Sequence, residues 1–141
     1  MGKLTDQILV QAIRDSIAID ACEWSIYNIV GNKSEIADGR FVHTFDTLVS
    51  SVCRRLKGYP ASTVRARIKS IAAESGFTLN QYRPGASIRV HTTKEHTEVL
   101  EACAIKWWEA MGYCKGEARP TSPNHRLPKS EAELLAVVGA A

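Results

Sequence analysis

The stretch "YPASTVRARIKSIAAESG", Tyr59 to Gly76, decides how the chain folds. Val64, Ile68, Ile71 and Ala72 recur at helical spacing and define a buried stripe. Ser62 suits the N-cap position, and Gly76 supplies a left-handed stop. At about 100° per residue, the face opposite the stripe holds Ser62, Ala66, Lys69, Ser70 and Ala73, with Arg65 and Arg67 on its flanks. A helix from Thr63 to Ser75 with a small-sided ridge edged by long cations approaches a groove closely while arginines reach phosphates or base edges.

The charge around this helix is concentrated. From Arg54 to Lys94 there are nine cations (Arg54, Arg55, Lys57, Arg65, Arg67, Lys69, Arg83, Arg89, Lys94) against the single anion Glu74, or +8. With a net charge of +3, the rest of the chain carries −5. A basic block set into an acidic protein is the electrostatic footprint of a polyphosphate-binding surface.

Working outward, "TFDTLVSSVCRRLKG" predicts a preceding helix over Phe45–Leu56. Phe45, Leu48, Val49, Val52, Cys53 and Leu56 share one face, Thr44 or Asp46 caps the start, and Arg54, Arg55 and Lys57 suit the negative end of the dipole. On the other side, "FTLNQYRPGASIRVHTT" alternates as two strands. Phe77 and Leu79 share a face, as do Ile88 and Val90, and Arg83-Pro84-Gly85-Ala86 makes the turn. Arg83 sits at the hairpin tip, with Arg89 and His91 on its polar face.

At the N-terminus, Thr5 caps a helix and Leu4 folds back on Leu9 as a staple. Leu9, Ile13, Ile17, Ala21 and Trp24, with Ile26, Ile29 and Val30 beyond, give one helix to about residue 30, or two with a bend near Asp20. Residues 31–44 read as a connection with a helical turn at Ser34–Ala37. After the hairpin, Thr93 caps a helix whose stripe is Val99, Cys103, Trp107 and Ala110, widened by Leu100, Ile105 and Trp108. Two-faced apolar character in these flanking helices suggests a homodimer interface. "CKGEARPTSPNHRLPKS" reads as a linker, and a short helix follows Ser130. The expected organisation is a domain over 1–114 and a flexible linker with a short helix over 115–141.

The order helix, tight turn, helix, strand, turn, strand over about residues 44–92 resembles the winged helix-turn-helix domain of DNA-binding regulators and replication initiators. The resemblance implies a mainly α fold with a small β-hairpin and a recognition helix at Thr63–Ser75. It also implies a wing carrying Arg83 into the neighbouring minor groove, supported by Arg89. Ser62 and Thr63 would hold a phosphate at the helix N-terminus, and Arg65, Arg67, Lys69 and Ser70 would contact bases or backbone. Arg54, Arg55 and Lys57 would follow the phosphates. The implied function is site-specific binding of double-stranded DNA by a transcription regulator, or by a plasmid- or phage-type replication or maintenance factor. The alternative is a mobile-element interaction protein whose basic face meets and inhibits a host protein. A further alternative stacks single strands on Trp107 or Trp108.

Other chemistry lacks its residues. Cys22, Cys53, Cys103 and Cys114 contain no CxxC pair and read as buried reduced thiols, and His91, His96, Cys103 and Cys114 lack metal-ligand spacing. No phosphate loop and no nucleophile–base register suggest an enzyme or a cofactor. No apolar run reaches the roughly 18 residues needed to span a bilayer, and no secretion signal opens the chain, so a cytoplasmic location is expected.

Overall fold

A computed structural model describes residues 2–31, 42–112 and 126–139, with side chains left undescribed at 24–31, 42, 43 and 139. Among these residues, five helices and three strands follow in the order α1 (Asp6–Gly31), β1 (Val42–Thr44), α2 (Phe45–Arg55), α3 (Ala61–Ser70), β2 (Phe77–Gln81), β3 (Ile88–Thr92), α4 (Lys94–Ala110) and α5 (Glu131–Gly139). The chain is mainly α with a small antiparallel sheet in the order β1-β3-β2. Among the described residues, no helix is long and apolar enough to cross a membrane.

The α1 helix is continuous, without the bend considered near Asp20. The Thr5 hydroxyl accepts from Ile8 N–H at 3.2 Å, and Leu4 and Leu9 are both buried in the core, as a capped and stapled start requires. The expected stripe Leu9, Ile13, Ile17 and Ala21 is buried together with Ala12, Ala18 and Cys22. Burial pushes the Cys22 thiol up to about 12, helped by Glu23 and Cys103, so it is an inert thiol. Trp24, Ile26, Ile29 and Val30 have no described side chains, and Ser34–Ala37 and Cys114 lie outside the described residues.

The helix α2 follows its pattern closely: Phe45, Leu48, Val49 and Val52 are buried, and the Thr44 hydroxyl accepts from Thr47 N–H at 3.2 Å. Two boundaries of α3 differ from the sequence reading. Pro60 is the N-cap, so Ser62 lies inside the first turn and caps nothing. The α-helix also stops at Ser70 rather than Ser75. Beyond it, Ser75 Oγ donates to Ile71 O at 2.9 Å, a side-chain bond that competes with regular helix. The chain then closes in a Schellman motif: Gly76 N–H bonds Ala73 O at 3.2 Å, Phe77 N–H bonds Ala72 O at 3.2 Å, and Gly76 has φ +81°. Gly76 thus ends a run of tight turns.

The hairpin has the expected tip. Ala86 N–H bonds Arg83 O at 3.0 Å and Gly85 sits at φ +84°, a type II turn with proline and glycine where that turn wants them. The Gln81 side chain donates to Ala86 O at 2.9 Å and braces the loop. A third strand, β1, was unforeseen: Val42, His43 and Thr44 pair with His91, Val90 and Arg89, making β3 the central strand. His91 is consequently not on an open polar face; both its ring nitrogens are buried and without a hydrogen-bond partner among the described residues.

In α4, Thr93 caps as expected, accepting from His96 N–H at 3.1 Å. Its buried stripe is Thr97, Leu100, Cys103, Ala104, Trp107 and Trp108, while Val99, Ile105 and Ala110 face outward, a shift of about a third of a turn. Trp108 is fully buried and donates to Cys22 O at 2.9 Å; Trp107 donates to Arg126 O at 2.9 Å. Both indoles are core, so neither offers a face to bases. The helix after Ser130 forms and packs on α1 and α4, with Leu134 fully buried. It packs into the core formed by α1 and α4; residues 113–125, most of the stretch read as a linker, are not described. Ser130 Oγ accepts from Glu133 N–H at 3.1 Å, and Glu133 Oε1 accepts from Lys129 N–H at 2.8 Å. The latter bond, with Arg126, holds the Glu133 carboxyl below its usual range.

Candidate nucleic-acid interface

The candidate cations separate into two groups. In the first, arginines hydrogen-bond to other groups of the protein. Asp20 is partly buried, and desolvation raises its carboxyl above the ordinary range against the opposing effects of Ser51, Arg54 and Arg55. Ser51 Oγ donates to Asp20 Oδ2 at 3.0 Å, and Arg54 donates to Ser51 Oγ at 3.0 Å. Arg55 donates to Ser16 Oγ at 3.2 Å. Arg54 thus leans along α2 to Ser51 and Arg55 reaches Ser16 on α1, near enough to Asp20 to oppose its desolvation, while both arginines stay exposed. Arg67, on the flank of α3, donates to Leu4 O and to Asp6 Oδ1 and ties α3 to the start of α1.

The second group stays outside. Ser62, Thr63, Ala66, Lys69 and Ser70 are exposed on α3, and Ser70 Oγ donates to Arg67 O at 2.8 Å. Lys57, Lys69, Arg83 and Arg89 are exposed and have no carboxylate partner among the described residues. Arg65, on the other flank of α3, is 2.7 Å from Asp46 Oδ1, with the two side chains 48% and 80% exposed. A pair so open to water is weak and exchangeable. Arg65 and Lys69, one turn apart, both overlie the Phe45 ring, at 4.9 and 5.3 Å from its centroid.

Arg65, Thr44, Phe45 and Asp46 form one wall of a cleft of about 320 Å³. The hairpin residues Gln81, Gly85, Ala86, Ser87 and Ile88 form the other. The cleft thus joins α3 and the hairpin into one surface. Three contributors were not anticipated from the sequence: Asp46 as a partner of Arg65, Phe45 as its platform, and Tyr82, 90% exposed beside Arg83. The signal for Tyr82 was available, an aromatic adjoining an arginine at a turn. The Phe45–Arg65 approach spans two helices and has no local signature.

No cluster of potential metal ligands occurs among the described residues. Comparison with family models, curated proteins and solved structures gives no match.

Proposed function

We propose that the protein is a non-enzymatic, site-specific binder of double-stranded DNA with a winged helix-turn-helix arrangement, acting as a transcription regulator or as a plasmid- or phage-type replication or maintenance factor. In this reading α3 enters the major groove, the 82–87 loop is the wing, and two copies meet repeated half-sites. One observation carries it: the outer ridge of α3, small at Ser62 and Ala66 and cationic at Lys69, is open. It is also continuous, across a shared cleft, with a hairpin bearing Arg83 and Arg89, which have no carboxylate partner among the described residues. The element order α1-β1-α2-α3-β2-β3 and the sheet order β1-β3-β2 support the same reading. Phosphate contacts would come from Lys57, Thr63, Ser70, Arg83 and Arg89, and groove contacts from Ser62, Arg65 and Lys69.

The test is equilibrium binding to random duplex, single strand and RNA at two salt concentrations, followed by selection of duplexes from a random pool. Duplex preference with steep salt dependence supports the reading. The second reading is an interaction module whose basic face meets an acidic protein surface; the internal bonds of Arg54, Arg55 and Arg67 are compatible with either partner. That reading predicts no duplex affinity and a co-purifying partner.

A further inference from the structure

Arg65 is held on two sides. Its guanidinium carbon lies 4.9 Å from the centroid of the Phe45 ring, and its Nη2 lies 2.7 Å from Asp46 Oδ1. The ring is fixed by burial, and the carboxylate, with its side chain 80% exposed, is fixed at its backbone. Phe45 is 1% exposed, locked in the core, and Asp46 follows it in the first turn of a helix capped by Thr44. A flat platform beneath the guanidinium and a carboxylate at its edge restrict its orientation where it lines the cleft beside the hairpin loop.

The ion pair contributes little to stability because it is so exposed, and the benefit of an acid in the first turn of α2 does not require Arg65 beside it. Attraction to DNA does not account for the carboxylate, since an acid beside the ridge repels phosphate. Selectivity accounts for both. A guanidinium with restricted orientation loses less freedom when it forms two parallel hydrogen bonds to guanine O6 and N7. A neighbouring negative charge penalises a phosphate in that place and leaves a neutral base edge unpenalised. We infer that Asp46, with Phe45, is a positioning pair that presents Arg65 to a guanine edge in the major groove, which makes Asp46 a determinant of sequence specificity. This rests on the duplex-DNA reading above.

The experiment uses the full chain, a duplex chosen by selection from a random pool, and a scrambled duplex of equal length and composition. Asp46→Asn should tighten binding to the scrambled duplex and fail to tighten, or weaken, binding to the selected one. The ratio of the two affinities should fall about 5-fold or more. Arg65→Lys keeps the charge and loses the planar fork; it should lower the same ratio with little effect on the scrambled duplex. Replacing guanine with 7-deazaguanine in the selected site should weaken the parent protein and leave Arg65→Ala unaffected. Equal tightening of both duplexes by Asp46→Asn, or an unchanged ratio in Arg65→Lys, overturns the positioning role and leaves DNA binding standing. A parent protein with no preference for duplex overturns both. The lysine variant keeps the inference testable should Asp46→Asn lower the melting temperature.

Discussion

Arg67 and Lys69 lie two residues apart on α3 and do different things. Arg67 faces the start of α1 and binds Leu4 O and Asp6, whereas Lys69 stands on the open ridge. Arg67→Ala should therefore cost about 1 kcal/mol of stability by denaturant titration, the usual value of a partly exposed charged hydrogen bond. It should weaken duplex binding less than Lys69→Ala, which should leave the melting temperature within about a degree, as for surface changes in general. The opposite ranking would make Arg67 the contact residue. His96 gives a prediction with a definite sign. Burial lowers its pKa from the ordinary 6.5, with Arg14 on α1 pushing the same way and Glu131 on α5 opposing. Folding thus favours the neutral ring, so the stability tied to it is full above pH 6.5 and is lost as pH falls through the depressed folded value. The melting temperature should decline from pH 7 toward pH 5, and His96→Gln should flatten that decline.

Among the elements, α5 tests how far the domain extends. Leu134 is fully buried, and Glu131 bonds Arg14 Nε at 3.1 Å while its N–H bonds Asp15 Oδ1 at 2.9 Å. Leu134→Ala should cost about 2–5 kcal/mol, measured as a shift in the global unfolding midpoint. A purely local loss, with the main transition unmoved, would return α5 to the status of a tail. The same element shows where the sequence was legible. Helices with one strong stripe and a capping hydroxyl, such as α2 with Phe45, Leu48, Val49, Val52 and Thr44, were read nearly to the residue. The Pro84-Gly85 turn was equally plain. The end of α3 was not, because Ala72, Ala73 and Glu74 are good helix formers and the tightening comes from Ser75 and the Gly76 closure. The strand β1 escaped because three residues carry no periodicity and their pairing depends on β3, more than 40 residues away. Docking of α5 escaped because burial of Leu134 is a tertiary fact. The site was legible as a set of cations but not as a geometry: nothing near Arg55 or Arg67 in sequence announces that Ser16 and Leu4 would bond them, whereas the partner of Arg54, Ser51, lies one turn back.

For the molecule as a whole, that division of cations has a measurable consequence. If Lys57, Arg65, Lys69, Arg83 and Arg89 all neutralise phosphates, log affinity should fall with log salt at a slope of about −4.5. With Arg54, Arg55 and Arg67 added it would approach about −7. If Arg65 meets a base instead, the slope should be nearer −3.6, by the same rule. A titration of random duplex affinity from low to physiological salt separates these values. A slope near −7 would mean that Arg54, Arg55 and Arg67 meet phosphates as well.

The grip on α5 has one more consequence. Trp107 N–H holds Arg126 O, the Arg126 guanidinium lies 4.9 Å from the Trp107 centroid, and Leu134 is plugged between α1 and α4. The C-terminal piece is therefore retained by packing as well as by peptide continuity. A chain cut at an engineered protease site between Gly112 and Arg126 should elute as a single nicked particle, its two fragments parting only in denaturant.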